Sequence, residues 1–205
     1  MVTFFNLVKS YPALTREWSQ NNIDNKLSNQ IKRLTTSLPL SETLKKDLIT
    51  DLKNKLRLTK QKLKENEPEE LVIKLSGDEV ICKYQNQDDE DVKLELAIQL
   101  PADYPFSFIT VNLRTKAGID VKQERSWILK LSMLLNKSNE SDILSAIKKW
   151  KELIDLEFAG IEACAICYSV VDSSGSKQKP NIHCKQCKHK FHAKCLYKWF
   201  QTSHN

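Results

Sequence analysis

The sequence has no apolar run approaching the roughly 20 residues that span a bilayer. Its opening, MVTFFNLVKSYPAL, lacks the basic start and long apolar core of a secretory signal. The expectation is an intracellular protein whose thiols stay reduced, which argues against a disulfide framework. Cysteine is scarce before residue 164, where only Cys82 occurs, and five of the six cysteines lie between 164 and 195. That clustering favours a metal site. Acidic residues are missing after Asp172: residues 173–205 hold seven lysines and no Asp or Glu, a net of +7. Residues 1–60 carry 11 basic and 5 acidic side chains (+6), and residues 61–172 carry 14 and 21 (−7). The order basic, acidic, basic suggests three segments. The basic ends could face nucleic acid or an acidic protein, or simply keep exposed faces solvated. No internal repeat is evident.

Residues 1–60 also lack strand-like alternation. FFNLVKSYPALTREWSQ reads as a short helix, a Tyr-Pro break, and a second helix with Leu14 and Trp18 on one face. Ser41 begins a better helix as its N-cap, with Leu44, Leu48, Leu52 and Leu56 recurring every four residues. This segment, 1–62, reads as all-helical and as the end of a larger helical array.

After ENEPEE the period changes to two. LVIKL (71–75) and VICKY (80–84), joined by SGDE, predict a hairpin. VKLELAIQL places Val92, Leu94, Leu96, Ile98 and Leu100 on one face, and FITVNL (108–113) alternates again. Four antiparallel strands in a meander follow. Helical spacing returns with Ile128, Leu131 and Leu135, extended by Trp127. After a polar entry at 139–142 come Ile143, Ile147, Trp150 and Ile154, with Gly160 ending the helix. Strands followed by helices give an α+β sandwich over 63–159, with helices covering one face of the sheet.

The ligand candidates run Cys164-x2-Cys167, sixteen residues, Cys184-x2-Cys187, four residues, His192, two residues, Cys195. Two thiolates two residues apart grip one ion from a tight turn, and zinc takes two more N or S ligands. Six ligands exceed one tetrahedral site and fall short of two. The order resembles the first six of eight ligands of a cross-brace zinc finger, either the RING variant of four cysteines, one histidine and three cysteines, or the PHD finger. The cross-brace implies one zinc on Cys164, Cys167, His192 and Cys195. A second zinc would take Cys184 and Cys187 and two further ligands. An alternative set, as in RING fingers with two adjacent histidine ligands, uses His189 in place of Cys184. His183 and His204 read as loop residues. RING fingers that recruit ubiquitin-conjugating enzymes resemble one another in an apolar residue between the first two cysteines and a Trp four after the sixth ligand. Ile166 and Trp199 stand at those places, and favour RING over a PHD-like protein- or chromatin-binding module.

CAICYSVV, KCLYKWF and KKWKELIDLEFAGIEAC resemble the C-terminal region of the listerin family of ubiquitin ligases. LPADYPFSFITV, with Tyr104-Pro105, resembles that family's RWD domain, and Leu14, Arg16 and Trp18 resemble a Leu-x-Arg-x-Trp stretch ending its helical repeats. The resemblance implies three parts: a helical segment (1–62), an RWD domain (63–159) folded like a ubiquitin-conjugating enzyme without its catalytic cysteine, and a RING finger (160–205) short of its last Cys-x2-Cys. Cys82 is then a core residue. The implied activity is RING-type ubiquitin transfer without a covalent step, using structural zinc and an Ile166–Trp199 contact for the conjugating enzyme. Its implied setting is cytoplasmic, on the 60S ribosomal subunit with stalled peptidyl-tRNA and other quality-control factors, the RWD domain touching the ribosome. The lysines after 172 would suit a surface near ribosomal RNA. With the final ligand pair missing, the 205 residues alone are expected to be inactive.

Overall fold

A computed structural model describes residues 2–21, 26, 29–30, 33, 40–62, 70–86, 89–137, 142–172 and 177–203. Two short helices come first, α1 (Val2–Ser10) and α2 (Pro12–Asn21). Pro12 opens α2, a first-turn position whose N–H has no intrahelical acceptor to lose. Helix α3 spans Leu40–Lys62. Its four-residue leucine repeat faces inward: Leu44 and Leu52 are buried, and Leu48 and Leu56 pack beside them. Ser41 is not the cap that the sequence suggests. The helix is already formed at Leu40, and the Ser41 hydroxyl is buried without a hydrogen-bond partner among the described residues.

The sheet has four antiparallel strands in the order β1 (Leu71–Ser76), β2 (Glu79–Gln85), β3 (Lys93–Gln99) and β4 (Thr110–Lys116). Gly77 turns the first hairpin at φ +58°, a conformation that L side chains rarely adopt. Val80, Cys82 and Tyr84 face Leu94, Leu96 and Ile98 across β2 and β3, all buried. The opposite face carries an ion ladder: Lys83 pairs with Glu95 at 2.9 Å, and Arg114 with Glu79 at 2.5 Å. Lys83 comes first in holding the Glu95 carboxyl below its ordinary range. One face is thus apolar and covered, the other polar.

Strand β4 starts two residues later than FITVNL suggests. Asn136 explains the delay: its amide accepts from Ile109 N–H (2.9 Å) and donates to Ile109 C=O (2.9 Å), so a side chain replaces the ladder there. Ile109 is buried while Phe108 points outward.

Helices α4 (Val121–Lys137) and α5 (Ile143–Phe158) cover the apolar face. Trp127, Leu131 and Leu135 form the buried stripe of α4, with Ile128 at its margin. Ile143, Ile147, Trp150 and Ile154 are buried along α5, and Gly160 ends it at φ +68°.

The N-terminal helices share this core instead of standing apart. Val8, Leu44 and Leu52 belong to the same buried cluster as the sheet. Lys45, its side chain only 2% exposed, reaches Asp78 of the first hairpin at 2.7 Å. Arg16 is buried too: Nε donates to the Pro105 carbonyl (2.9 Å) and Nη1 to the Asn136 carbonyl (2.7 Å). Leu14 and Trp18 lie on the exposed side of α2. Among the described residues no helix is long and apolar enough to cross a membrane.

Candidate metal centre and docking groove

Two backbone knuckles of the same design dominate the last forty residues. In the first, Tyr168 N–H donates to Cys164 C=O (2.7 Å) and Cys164 N–H to Ser169 C=O (3.0 Å). In the second, Lys188 N–H donates to Cys184 C=O (3.0 Å) and Cys184 N–H to His189 C=O (3.0 Å). The residue after each Cys-x2-Cys has a positive φ, +59° at Tyr168 and +60° at Lys188. This left-handed step is uncommon for residues with a Cβ and shows that the turn, not local preference, sets the backbone.

A two-residue ladder, β5 (Ile182–His183) with β6 (Lys190–Phe191), leads into helix α6 (Ala193–Ser203). His192 sits at its entrance, its carbonyl accepting from Leu196 N–H at 3.0 Å, and Cys195 follows in the first turn. The fold thereby brings Cys164, Cys167, His192 and Cys195 together, with all four ligand atoms within 4.8 Å of one another. His192 Nδ1 lies 3.3 Å from Cys167 Sγ and 3.8 Å from Cys195 Sγ. A tetrahedral ion with metal–sulfur bonds near 2.3 Å has ligand separations of about 3.7 Å, so the set can hold a metal ion. The other ring nitrogen, His192 Nε2, is buried and unpartnered among the described residues, which leaves Nδ1 as the nitrogen facing the sulfurs.

Burial pulls the Cys164 thiol upward, but the N–H groups of Cys167, His192 and Ile166 outweigh it and hold Cys164 below its ordinary value. Burial, then the Cys167 sulfur, pushes Cys195 up to about 12. Three thiols this close cannot all ionise unaided, and a cation is what such a donor set accommodates.

The remaining sequence candidates lie elsewhere. Cys184 and Cys187 sit on the second knuckle and belong to no group of three or more potential ligands among the described residues. His189 is exposed on that knuckle, His183 is exposed on β5, and His204 lies outside the described residues. The lysines after 172 are not all unopposed: Lys179 pairs with Glu157, and Lys194 lies 4.0 Å from Asp172.

Between the second knuckle and α6 lies an open groove of about 710 Å³, lined by Ile166, Ile182, Phe191, Leu196, Trp199 and Phe200. Trp199 is 52% exposed and meets Phe200 edge to face, ring centroids 5.2 Å apart. Spacing from the cysteines points to Ile166 and Trp199 but not to the other four. Phe191 and Leu196 flank the candidate ligands His192 and Cys195.

Cys82 is fully buried, and burial pushes its thiol up to about 12. Iodoacetamide should therefore spare Cys82 in the native chain and modify it in urea, as peptide mass mapping would show. Cys82→Ala should cost only about 1 kcal/mol of stability. Rapid native alkylation would overturn its assignment to the core.

Residues 71–157 match the ubiquitin conjugating domain-like family, the span of the sheet and its covering helices. The chain is 34% identical over 196 residues to the E3 ubiquitin-protein ligase listerin of Gallus gallus, covering 96% of this chain and 10% of that protein. It is 34% identical over 206 residues to the listerin of Saccharomyces cerevisiae, covering 99% of this chain and 12% of that one. The Schizosaccharomyces pombe listerin is 43% identical over 116 residues, 57% of this chain and 7% of that protein. The chain thus spans about a tenth of the length of these relatives. Aligned over nearly its whole length with one segment of these proteins, and built on a ubiquitin conjugating-like sheet, the chain belongs to the listerin family.

Proposed function

We propose that this chain is the catalytic-end module of a RING-type E3 ubiquitin ligase. The observation that carries the reading is the exposed Ile166–Trp199 groove, built directly onto the Cys164–Cys167–His192–Cys195 site. Zinc fits the donor set of three thiols and one imidazole, and would serve as a structural ion in place of an apolar core. A second zinc would use Cys184 and Cys187, with His189 the alternative ligand. The groove would receive a ubiquitin-conjugating enzyme. Among the described residues every cysteine has another place: Cys82 is buried in the sheet, Cys164, Cys167 and Cys195 belong to the candidate metal set, and Cys184 and Cys187, which line the groove from the second knuckle, would hold the second zinc. Transfer would then proceed by holding the thioester in a reactive geometry.

The relatives' name supports the ligase activity. The further setting belongs to the same reading: a cytoplasmic protein on the 60S subunit, its ubiquitin conjugating-like domain against ribosomal protein or RNA, acting with other quality-control factors on stalled nascent chains. Exposed Lys185, Lys188 and Lys198 are compatible with such a surface.

The test is single-turnover discharge of a ubiquitin-loaded conjugating enzyme by the full-length protein. Ile166→Ala and Trp199→Ala should each slow discharge about thirtyfold, the equivalent of a ~2 kcal/mol interface hot spot, with zinc content unchanged. Unaltered discharge in both variants would remove the groove from the reading.

A further inference from the structure

The structure fixes the Cys/His finger onto the sheet domain through a short polar contact. Asp89, in the loop between β2 and β3, reaches Ser169 and Val170, the second and third residues after the ligand Cys167. The Ser169 hydroxyl lies 2.8 and 3.0 Å from the two Asp89 oxygens, 3.3 Å from Asp91 Oδ2 and 2.9 Å from Val171 C=O. Val170 N–H donates to Asp89 Oδ2. Asp89 is itself held: its backbone N–H donates to Asn86 Oδ1 at 3.2 Å, and its carbonyl accepts from Val92 N–H at 3.1 Å.

A second anchor follows within the same inter-knuckle stretch. Val171 is buried in the sheet-domain core, and Gly118 N–H donates to Lys177 C=O at 2.8 Å. Lys179 pairs with Glu157 and lies 4.8 Å from the centre of the Phe158 ring. Gly118 stands at φ +75°, and a Cβ there would come within 3.1 Å of Phe158 and 3.2 Å of Val171. The backbone therefore approaches closely at a place where a side chain would push the strap away.

The stretch from Ser169 to Lys179 is held at residues 169–171 and again at Lys177 and Lys179, and none of these residues lines the groove. Ser169 also closes the first knuckle, since its carbonyl accepts from Cys164 N–H at 3.0 Å. Ile166 projects from that knuckle. A path of named bonds thus runs from the β2–β3 loop to the groove.

We propose that Asp89 is a positioning residue: acting through Ser169 and Val170, it holds the finger in one orientation on the sheet domain, so that the Ile166–Trp199 groove faces a fixed direction. This rests on the ligase reading for its consequence but not for its geometry. Domains joined by small polar interfaces move relative to one another unless something pins them. A ligase whose acceptor is held by another part of the chain gains from pinning, because transfer depends on where the bound thioester points.

Two measurements test this. The first is 15N relaxation of the zinc-loaded 205-residue chain. Wild type should tumble as one body. Asp89→Ala should give residues 161–203 a shorter correlation time than residues 71–157, with chemical shifts at the metal ligands retained. Ser169→Ala, which keeps the Val170 bond, should show a smaller version, and Asp89→Asn, which keeps an acceptor oxygen, should recover part of the rigidity. Independent tumbling in wild type, or an unchanged Asp89→Ala, would overturn the proposal.

The second uses the full-length ligase carrying an acceptor peptide fused ahead of Val2. Asp89→Ala should leave ubiquitin discharge to free lysine within about twofold of wild type and lower transfer to the fused acceptor about tenfold. Equal loss in both would show Asp89 merely supporting the finger's fold, and loss in neither would show orientation to be irrelevant; each overturns the proposal. A wild type that discharges no ubiquitin would instead overturn the ligase reading, and the tumbling comparison alone would then decide for or against the positioning role.

Discussion

Cys164→Ser should strip one zinc from the chain and unfold it beyond about residue 161, while the sheet and its helices stay folded. The reason is how little else holds that segment. Among its described residues the secondary structure amounts to two strands of two residues each and one eleven-residue helix. Ile182, Phe191 and Leu196 are only partly buried, and Trp199 and Phe200 are exposed. An apolar core this small does not offset the entropy of ordering some forty residues. Ion binding supplies the difference, on the order of 10–16 kcal/mol in zinc-finger peptides. Cys164 is fully buried, and the N–H groups around it favour its thiolate, so serine there removes the best-prepared ligand. Metal content by plasma mass spectrometry should fall by one ion per chain. Amide resonances of residues 161–203 should collapse toward random-coil shifts, while those of 71–157 persist. A chelator should give the same pattern in wild type. Full zinc content with dispersed finger resonances would rule out Cys164 as a ligand.

Arg16→Ala should lower stability by about 3 kcal/mol, the usual cost of breaking a buried hydrogen-bonded charge site. That corresponds to a fall of roughly 6–12 °C in Tm for a chain of this size. Arg16 joins three elements: it lies on α2, donates to Pro105 in the turn before β4, and donates to Asn136 at the end of α4. Its guanidinium carbon also lies 5.2 Å from the centre of the Phe108 ring. Burial pulls its pKa down, yet an arginine stays charged. Alanine would leave two carbonyls short of their donors and open a void. Arg16→Lys should recover little, because an ammonium cannot span two carbonyls with the planar fork of a guanidinium. Thermal denaturation followed at 222 nm measures both variants. A Tm within a degree of wild type would show that α2 is not clamped to the sheet domain.

What the sequence determined by itself was whatever depends on local period and spacing. The alternation in VKLELAIQL specifies which side of β3 is buried, and the leucines four apart specify the inner face of α3. Two Cys-x2-Cys pairs followed by His-x2-Cys point to candidate ligands, because a tight turn can bring such thiols to one ion wherever it occurs, and four of the six come together in the fold. The tertiary structure decided what depends on partners distant in sequence. Local pattern places Leu14 and Trp18 on one face of α2 and says nothing of where Arg16 goes, yet the two apolar residues are 56% and 43% exposed and Arg16 only 2%. Arginine is inside because carbonyls 89 and 120 residues away receive its protons, and no local pattern encodes that. Asn136 replacing a strand's hydrogen bonds, Lys45 buried against Asp78, and Asp89 gripping Ser169 across 80 residues have the same origin. Hydrophobic burial follows period, whereas a buried polar group follows its partner, and that partner is defined only once the chain has folded.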